Sequence, residues 1–216
     1  MSKIVVYSCI AGPIDDLITT QQYGQADWVM FTDQPLSGGR WQVRGVRNLF
    51  TNPRRNARLL KTISDVLFPE YDYVIWIDGT IELLVTPEEL VANYLDATCL
   101  AVLQHPERVC IYDEAEMCKT LKLDDEAVID SQMDKYRLQG YPKVAGLGET
   151  KIVLRKNCSL INDFNRDWTY EILNHSLRDQ LSFNYVARKN SVKVNYLTNW
   201  KKSTEVKYHF HLNKRK

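Results

Sequence analysis

Short apolar runs recur along this 216-residue chain, and several of them end directly in Gly, Asp or Thr. Nearly continuous apolar runs of this length are typical of strands that are buried on both faces of a parallel sheet. The most apolar run, Tyr73–Ile77, stops at Asp78-Gly79-Thr80. The pattern predicts buried strands at Ile4–Ile10, 28–31, Tyr73–Ile77, 99–103 and 151–154, and alternating strands at 41–47 and 191–197.

Helix start signals lie between these strands. Asn52 is a natural N-cap and Pro53 suits the first helical position, after which apolar residues recur at helical spacing until Pro69. Thr86-Pro87 followed by two glutamates opens a second helix. Further helices are predicted at 124–138, 160–173 and 178–188. Strands that alternate with helices imply an α/β fold with a mainly parallel sheet covered on both faces.

The composition narrows the class of protein. A net charge of +1 argues against a chain that binds polyanions through bulk charge. The five cysteines include no CxxC pair, so neither a zinc site nor a disulfide framework is indicated. The first apolar run is too short for a signal peptide or a membrane span, and we therefore expect a cytoplasmic protein. No linker divides the sequence, which predicts a single domain over 1–216 with a short basic tail at 214–216.

Familiar enzyme signatures are missing from the sequence. It contains no GxGxxG, P-loop, HExxH or GxSxG motif. A dehydrogenase, a P-loop kinase, a zincin and a serine hydrolase would each lack the residues that their chemistry needs.

Candidate site residues follow the predicted strands. Ligands of α/β sheets bind at the carboxyl ends of the strands, which makes Thr32, Asp33 and Asp78-Gly79-Thr80 candidate members of one site. Asp78 is well placed to hold Mg²⁺ or Mn²⁺ together with substrate phosphate oxygens. The alternative is an ordinary turn residue, because Asp-Gly is also a common turn pair.

The helix that begins at Pro53 has a basic face. Arg54, Arg58 and Lys61 share helical spacing, and cations in a first helical turn oppose the helix dipole at a cost of about 0.3–1 kcal/mol each. A bound anion would explain that cost, since helix N-termini with added arginine make good phosphate sites. The alternative is a basic face that is simply solvated.

Other polar residues have two interpretations each. His105 follows a strand and either faces the cleft or is a satisfied structural residue. Arg178-Asp179-Gln180 suits several sugar hydroxyls and equally suits a helix cap. His209 and His211 are one residue apart, so in a strand both would face the same side, where one of them would complete a metal site with Asp78.

Several ordered segments resemble a glycosyltransferase-like family first described as a domain of unknown function. That family is known from plant Golgi proteins linked to pectin and seed mucilage, and from bacteria and phages. The matching segments are the N-terminal YSCIAGPID, NPRRNARLLK at 52–61, LFPEYDYVIWIDGTIEL at 67–83, HPERVCIYDEAE at 105–116, IDSQMDKYRLQGYP at 129–142 and RDQLSFNYV at 178–186. Together they cover most of the chain.

The resemblance implies a GT-A fold, which is Rossmann-like, with a mixed, mainly parallel sheet flanked by helices. It also implies a Mn²⁺ or Mg²⁺ ion that bridges the donor diphosphate. Asp78 would be the first acid of the metal motif, Thr80 would stand where a second acid is usual, and His209 or His211 would close the site. Thr80 departs from the usual pattern of two acids, so the metal would be held more weakly or would depend on another ligand.

The same resemblance implies roles for the remaining candidates. Arg54, Arg58 and Lys61 would face the diphosphate, and Thr32 and Asp33 the nucleoside. Asp179 and Gln180 would contact the transferred sugar as the catalytic pair. The other residues assigned to the sugar or the acceptor are His105, Arg108, Asp130, Gln132 and Arg178.

The expected function is thus a metal-dependent glycosyltransferase that moves a sugar from a nucleotide-diphosphate sugar, by default a UDP-sugar, to a hydroxyl. The expected acceptor is a surface polysaccharide or other glycan. One alternative is a hydroxylated base in DNA, given the phage relatives and the basic character of the chain from Lys201 onward, and such a base would have to be reached or flipped. The others are a non-catalytic nucleotide- or carbohydrate-binding module on a degenerate GT-A scaffold, and an unrelated hydrolase of nucleotides or phosphoesters.

Overall fold

A seven-stranded mixed sheet forms the centre of the protein in a computed structural model, which describes residues 2–12, 16–198 and 200–209. Two short strands form a second, antiparallel sheet. The spatial order of the large sheet is β3-β2-β1-β4-β7-β6-β8, and the small sheet pairs β5 with β9. The strands are β1 Ile4–Ile10, β2 Asp27–Thr32, β3 Gln42–Gly45, β4 Tyr73–Ile77, β5 Ile81–Leu83, β6 Leu100–Gln104, β7 Gly148–Lys156, β8 Val194–Leu197 and β9 Val206–Tyr208.

Seven helices in the described residues connect and cover these strands. They are α1 Pro53–Thr62, α2 Ser64–Leu67, α3 Pro87–Tyr94, α4 Ile111–Thr120, α5 Glu126–Leu138, α6 Ser159–Asn174 and α7 Asp179–Lys189, with a 3₁₀ turn at Trp200–Lys202. The predicted N-cap of α1 is confirmed, since the Asn52 side chain accepts a hydrogen bond from the backbone N–H of Arg54. The predicted start of α3 is confirmed by a full capping box between Thr86 and Glu89.

One predicted helix is broken in the structure. The sequence predicts a continuous helix up to Pro69, but Ile63 leaves helical geometry at φ −107° and ψ 35° and separates α1 from α2. The break follows Thr62, whose hydroxyl donates to the carbonyl of Leu59 within the last turn. Adjacent β-branched residues and a hydroxyl that competes for backbone carbonyls both weaken a helix at this point.

The strand directions confirm a mainly parallel sheet and add one antiparallel strand. β1 is parallel to both β2 and β4, and β6 is parallel to β8. β7 runs antiparallel to its two neighbours, β4 and β6. The beginning of β7 therefore lies beside the end of β4, where the backbone N–H of Asp78 donates to the carbonyl of Lys151 at 2.8 Å.

Both faces of the large sheet are buried. Alternate residues of β1 point to opposite faces, so Val5 and Tyr7 pack with Phe164 and Trp168 of α6. Ile4 and Val6 belong to the other core, which is closed by α3 and the small sheet. No helix among the described residues is long and apolar enough to cross a membrane.

Three elements were not anticipated from the sequence: β5, β9 and α4. The two strands have three residues each, which is too short for a periodic signal. β7 also begins earlier than predicted, because the polar Glu149 and Thr150 at its start obscure the apolar run.

Candidate functional site

A cleft of about 530 Å³ opens at the carboxyl ends of the parallel strands, within the size range of small-molecule sites. Three elements deliver most of its charged side chains: the first turns of α1, the Asp78-Gly79-Thr80 loop after β4, and the start of α7. The start of β7 forms a fourth wall with Glu149, Thr150 and Lys151. We refer to this space as the strand-end cleft.

Asp179 is the central carboxylate of the strand-end cleft, and it is only 2% exposed. One of its oxygens, Oδ2, accepts hydrogen bonds from Lys61 Nζ at 2.6 Å and from the Thr150 hydroxyl at 2.8 Å. Its other oxygen, Oδ1, lies 2.9 Å from Arg58 Nε in an ion pair. The side chain is therefore fixed by two cations and a hydroxyl from α1 and β7.

Asp78 shares those cations. Its Oδ1 atom lies 3.2 Å from Lys61 Nζ and 3.9 Å from Arg58 Nη1, and it accepts a 2.7 Å hydrogen bond from the Trp76 indole. The Lys61 ammonium lies 5.0 Å from the centroid of the Trp76 ring. Asp78 and Asp179 are thus held on either side of one lysine.

The Lys61 ammonium contacts three oxygens. Nζ donates hydrogen bonds to Asp179 Oδ2 and to the carbonyl of Thr150 at 2.8 Å, and it forms an ion pair with Asp78. The side chain is completely buried, so the three contacts replace its water shell.

The electrostatics favour an ionised Asp179. Burial by itself raises the pKa of Asp179, but the charges of Arg58 and Lys61 outweigh burial and hold that pKa below its ordinary value. Burial lowers the pKa of Arg58, but Asp179 and Asp78 raise it by more, so the net shift is upward. Burial and the charge of Arg58 lower the pKa of Lys61.

Most of the predicted donor and catalytic residues meet in this cleft. The predicted residues that line it are Arg54, Arg58, Asp78, Thr80, Arg178, Asp179 and Gln180. Lys61 lies behind the lining and reaches it through Asp78 and Asp179. The roles assigned to these residues stay predictions, but their convergence is a feature of the structure.

Thr32 and Asp33 lie at the same edge of the sheet without lining the cleft. Asp33 accepts a 2.8 Å hydrogen bond from the backbone N–H of Gly12 and another from Asn48. The hydrogen bonds from Asn48 and Gln34 keep the pKa of Asp33 below its ordinary value. Thr32 is buried, and its hydroxyl accepts from the backbone N–H of Gln34.

Four of the predicted sugar or acceptor residues are not brought into the strand-end cleft. His105 is buried, and its Nδ1 accepts from the backbone N–H of Arg108, whose guanidinium pairs with Glu114 at 2.6 Å. Asp130 pairs with Lys119 on the surface between α4 and α5. Gln132 is fully buried and donates to the hydroxyl of Tyr136.

Within the described ranges, the residues expected to hold a divalent cation are not gathered into a donor set. Thr80 offers a hydroxyl where a carboxylate is usual, and the His209 ring is directed at Glu82, with its Nε2 atom 2.5 Å from Oε2. Across the described ranges, no three His, Cys, Asp or Glu side chains lie close enough together to hold a metal ion. His211 lies outside the described residues.

The charged, aromatic and hydroxyl-bearing lining residues that escaped the sequence analysis are Trp76, Glu149, Thr150, Lys151 and Tyr208. Trp76 was assigned only to a buried strand, although its indole N–H reaches Asp78. The polar Glu-Thr-Lys triplet before an apolar run was a usable signal, because an antiparallel strand starts where its parallel neighbours end. Lys151 pairs with Glu149, and its ammonium lies 4.7 Å from the centroid of the Tyr208 ring.

Comparison with known proteins yields one family and two relatives. The family model described as the TOD1/MUCI70 glycosyltransferase-like domain matches residues 1–213. The probable hexosyltransferase MUCI70 of Arabidopsis thaliana is 33% identical over 224 residues, covering 89% of this chain and 38% of that protein. The alkaline ceramidase TOD1 of the same plant is 27% identical over 170 residues, covering 72% and 37%. The chain spans less than two fifths of the length of either relative.

A solved structure shares the fold. The apo structure of WbbM, a bifunctional glycosyltransferase, matches 91% of this chain and 39% of its own chain, with a TM-score of 0.50 and 13% sequence identity. Similarity at that identity concerns the fold alone. The expected α/β fold, with its mixed and mainly parallel sheet flanked by helices, is confirmed.

Proposed function

The chain belongs to the TOD1/MUCI70 glycosyltransferase-like family, and from this premise we propose that it transfers a hexosyl group from a nucleoside-diphosphate sugar to a hydroxyl acceptor. The observation that carries the proposal is the strand-end cleft, where Arg54 and Arg58 of α1 face the carboxylates Asp78 and Asp179. A donor of this class presents a strongly anionic diphosphate next to a sugar rich in hydroxyls. The cations of the cleft suit the diphosphate, and its hydrogen-bonding groups suit the sugar hydroxyls.

In the proposal, the diphosphate of the donor binds at the start of α1. The positive end of the α1 dipole favours a phosphate, but the N–H groups of the first turn do not supply the contacts, because Pro53 has none and that of Arg54 donates to the Asn52 side chain. Arg54 and Arg58 are one turn apart on the cleft side of this helix, and Pro53 places its first turn in the lining. Charge-assisted hydrogen bonds from arginine to phosphate are among the stronger polar contacts in proteins.

In the proposal, the sugar of the donor binds beside Asp179. In the transfer, the bond from the anomeric carbon to the diphosphate oxygen breaks, and a bond to the acceptor oxygen forms as that hydroxyl loses its proton to a base. Positive charge develops at the anomeric carbon, and a fixed carboxylate in a water-poor site stabilises it. Asp179 is buried and ionised, and Gln180 and Thr80 offer hydrogen bonds to sugar hydroxyls.

The acceptor that we propose is a glycan. The alternative of a DNA base rests on the basic tail from Lys201, and in the described part of that tail Lys201 pairs with Glu107 and Lys207 with Glu82. The divalent cation expected from the resemblance is not part of the proposed mechanism.

The test is release of nucleoside diphosphate from a panel of nucleotide sugars, with and without glycan acceptors. We expect turnover with one donor, and loss of at least about a hundredfold in kcat for Asp179→Asn, which keeps the size of the side chain but removes its charge. The matched control is Asp167→Asn, which neutralises an aspartate on α6 paired with Lys189 at 2.9 Å, outside the cleft lining.

Two results would contradict the proposal. If no nucleotide sugar is turned over while one binds, the binding-module alternative replaces it. If Asp179→Asn retains the activity of the folded control, the sugar is not placed beside this carboxylate. Folding of both variants is checked by circular dichroism before activity is compared.

A further inference from the structure

The side chains in and behind the lining of the strand-end cleft carry a net positive charge, and this charge favours binding of an anionic donor. Among the described residues, the lining contains four cations, Arg54, Arg58, Lys151 and Arg178, and three carboxylates, Asp78, Glu149 and Asp179. Lys61, behind the lining, adds a fifth cation that contacts two of those carboxylates. The cleft therefore has a positive balance of side-chain charge.

Lys61 occupies the position where a cation between two carboxylates would lie. Its Nζ is 2.6 Å from Asp179 Oδ2 and 3.2 Å from Asp78 Oδ1, on the path between the two acids. A divalent ion bound by both acids would have to displace this ammonium from Asp78, Asp179 and the Thr150 carbonyl. Lys61 is completely buried, so displacement would leave its charge without water or partner, which is strongly unfavourable.

Asp78 also lacks the companions that a metal ligand needs. Its Oδ1 already accepts from the Trp76 indole and faces the cations of α1. Thr80 is a weak neutral donor, and His209 is oriented toward Glu82 by a contact between Nε2 and Oε2. Magnesium and manganese sites on a diphosphate use one or two carboxylates together with phosphate oxygens and water, and the other two carboxylates of this lining, Asp179 and Glu149, are already paired with Lys61 and Lys151.

We propose that the donor site, as assigned in the proposed function on which this inference rests, works without a divalent metal. Arg54 and Arg58 bind the diphosphate directly, at the positive end of the α1 dipole. Lys61 holds Asp78 and Asp179 in place and cancels part of their charge, so that the anionic donor is not repelled. Charge on the departing diphosphate is balanced by the two arginines.

The deciding experiment is isothermal titration of the full chain with UDP, GDP, ADP and CDP, once in EDTA and once in MnCl₂. We expect one nucleoside diphosphate to bind with dissociation constants that agree within about twofold in the two buffers. Binding that appears only with Mn²⁺, or is at least about tenfold tighter with it, would overturn the inference and leave the proposed function standing. Absence of binding in both buffers would overturn the donor site itself, and the proposed function with it.

Variants of two adjacent arginines test the direct contact. Arg54→Gln should weaken binding of the selected nucleoside diphosphate in EDTA by at least about tenfold, the effect of losing a hydrogen bond between charged groups. Arg55→Gln is the control, since Arg55 lies on the same helix but donates to the Leu173 carbonyl and does not line the cleft. Equal affinity of the two variants would refute phosphate binding by Arg54. Arg54 is exposed and the hydrogen bond of Arg55 is at the surface, so neither change removes a buried charge.

Discussion

Neutralising Asp179 tests the charge arrangement of the cleft independently of any substrate. Asp179→Asn keeps the shape of the side chain and removes one negative charge from a position that is 2% exposed. Lys61 then loses the partner at 2.6 Å and keeps only the carboxylate of Asp78, at 3.2 Å. Arg58 likewise keeps only Asp78, at 3.9 Å.

The expected loss is a large part of the stability of the protein. Removing one partner of a buried ion pair costs about 3–5 kcal/mol, and we expect the lower end because Asp78 remains. At about 2–4 °C per kcal/mol for a chain of this size, a loss of about 3 kcal/mol lowers the melting temperature by about 6–12 °C. Most proteins have only about 5–15 kcal/mol of stability in total.

Urea and thermal denaturation followed by circular dichroism measure this loss. The control is Asp167→Asn, whose partner Lys189 is exposed to solvent, so the change should cost no more than about 1 kcal/mol. The double variant Lys61→Met/Asp179→Asn should lose less than the sum of the two single variants, because each change removes the charge that the other leaves unpaired. If Asp179→Asn costs no more than the Asp167 control, or if the two changes are additive, the description of a buried, mutually dependent charge cluster is wrong.

Three further predictions concern pH and packing. The pKa of Asp179 is lowered by folding, so its contribution is fully present above a pH of about 4, the ordinary value for aspartate, and is lost as the pH falls below it. Urea midpoints measured downward from about pH 5 should therefore fall more steeply for the wild type than for Asp179→Asn, and parallel curves would contradict this sign. Gly148→Ala places a Cβ 2.7 Å from Val102 Cγ1 and should destabilise by about 1–3 kcal/mol, whereas Gly45→Ala meets no atom within 4 Å and should show little loss from crowding in the same denaturation assay. Thr86→Ala removes the capping box of α3 and should cost about 1 kcal/mol in urea denaturation, and an unchanged midpoint would show that the cap contributes nothing.

The elements that could be predicted are those with a strong local signal. β4 and β1 were predicted with their observed ends, because continuous apolar runs bounded by turn residues are read within a few positions. The starts of α1 and α3 were predicted from Asn52-Pro53 and Thr86-Pro87, since a cap is chosen by residues adjacent in sequence. The three-residue strands β5 and β9 have no comparable signal, because their pairing partners lie far along the chain. The polar start of β7 is a weaker signal, which places residues at the cleft only once the antiparallel direction of the strand is known.

The residues of the candidate site also differ in whether the sequence could predict them. Asp78 and the arginines of α1 could be selected from sequence, because each stands at the end of a strand or the start of a helix, where ligands bind in α/β folds. His105 and Arg108 also follow a strand, and Asp130 and Gln132 lie within α5, but the structure directs all four to partners outside the cleft. Side-chain direction depends on packing against other elements, which no local pattern records.

By itself the sequence determined the α/β alternation, the strand that ends at Asp78 and the basic start of α1, because periodicity and capping are properties of neighbouring residues. Tertiary structure alone decided that Lys61 pairs with Asp179, which is 118 positions away, and that the antiparallel β7 brings Thr150 beside both. It also decided that His209 is directed at Glu82. These are long-range contacts that exist only once strand order, direction and register are set, and burial then makes the ion pairs strong enough to define the site.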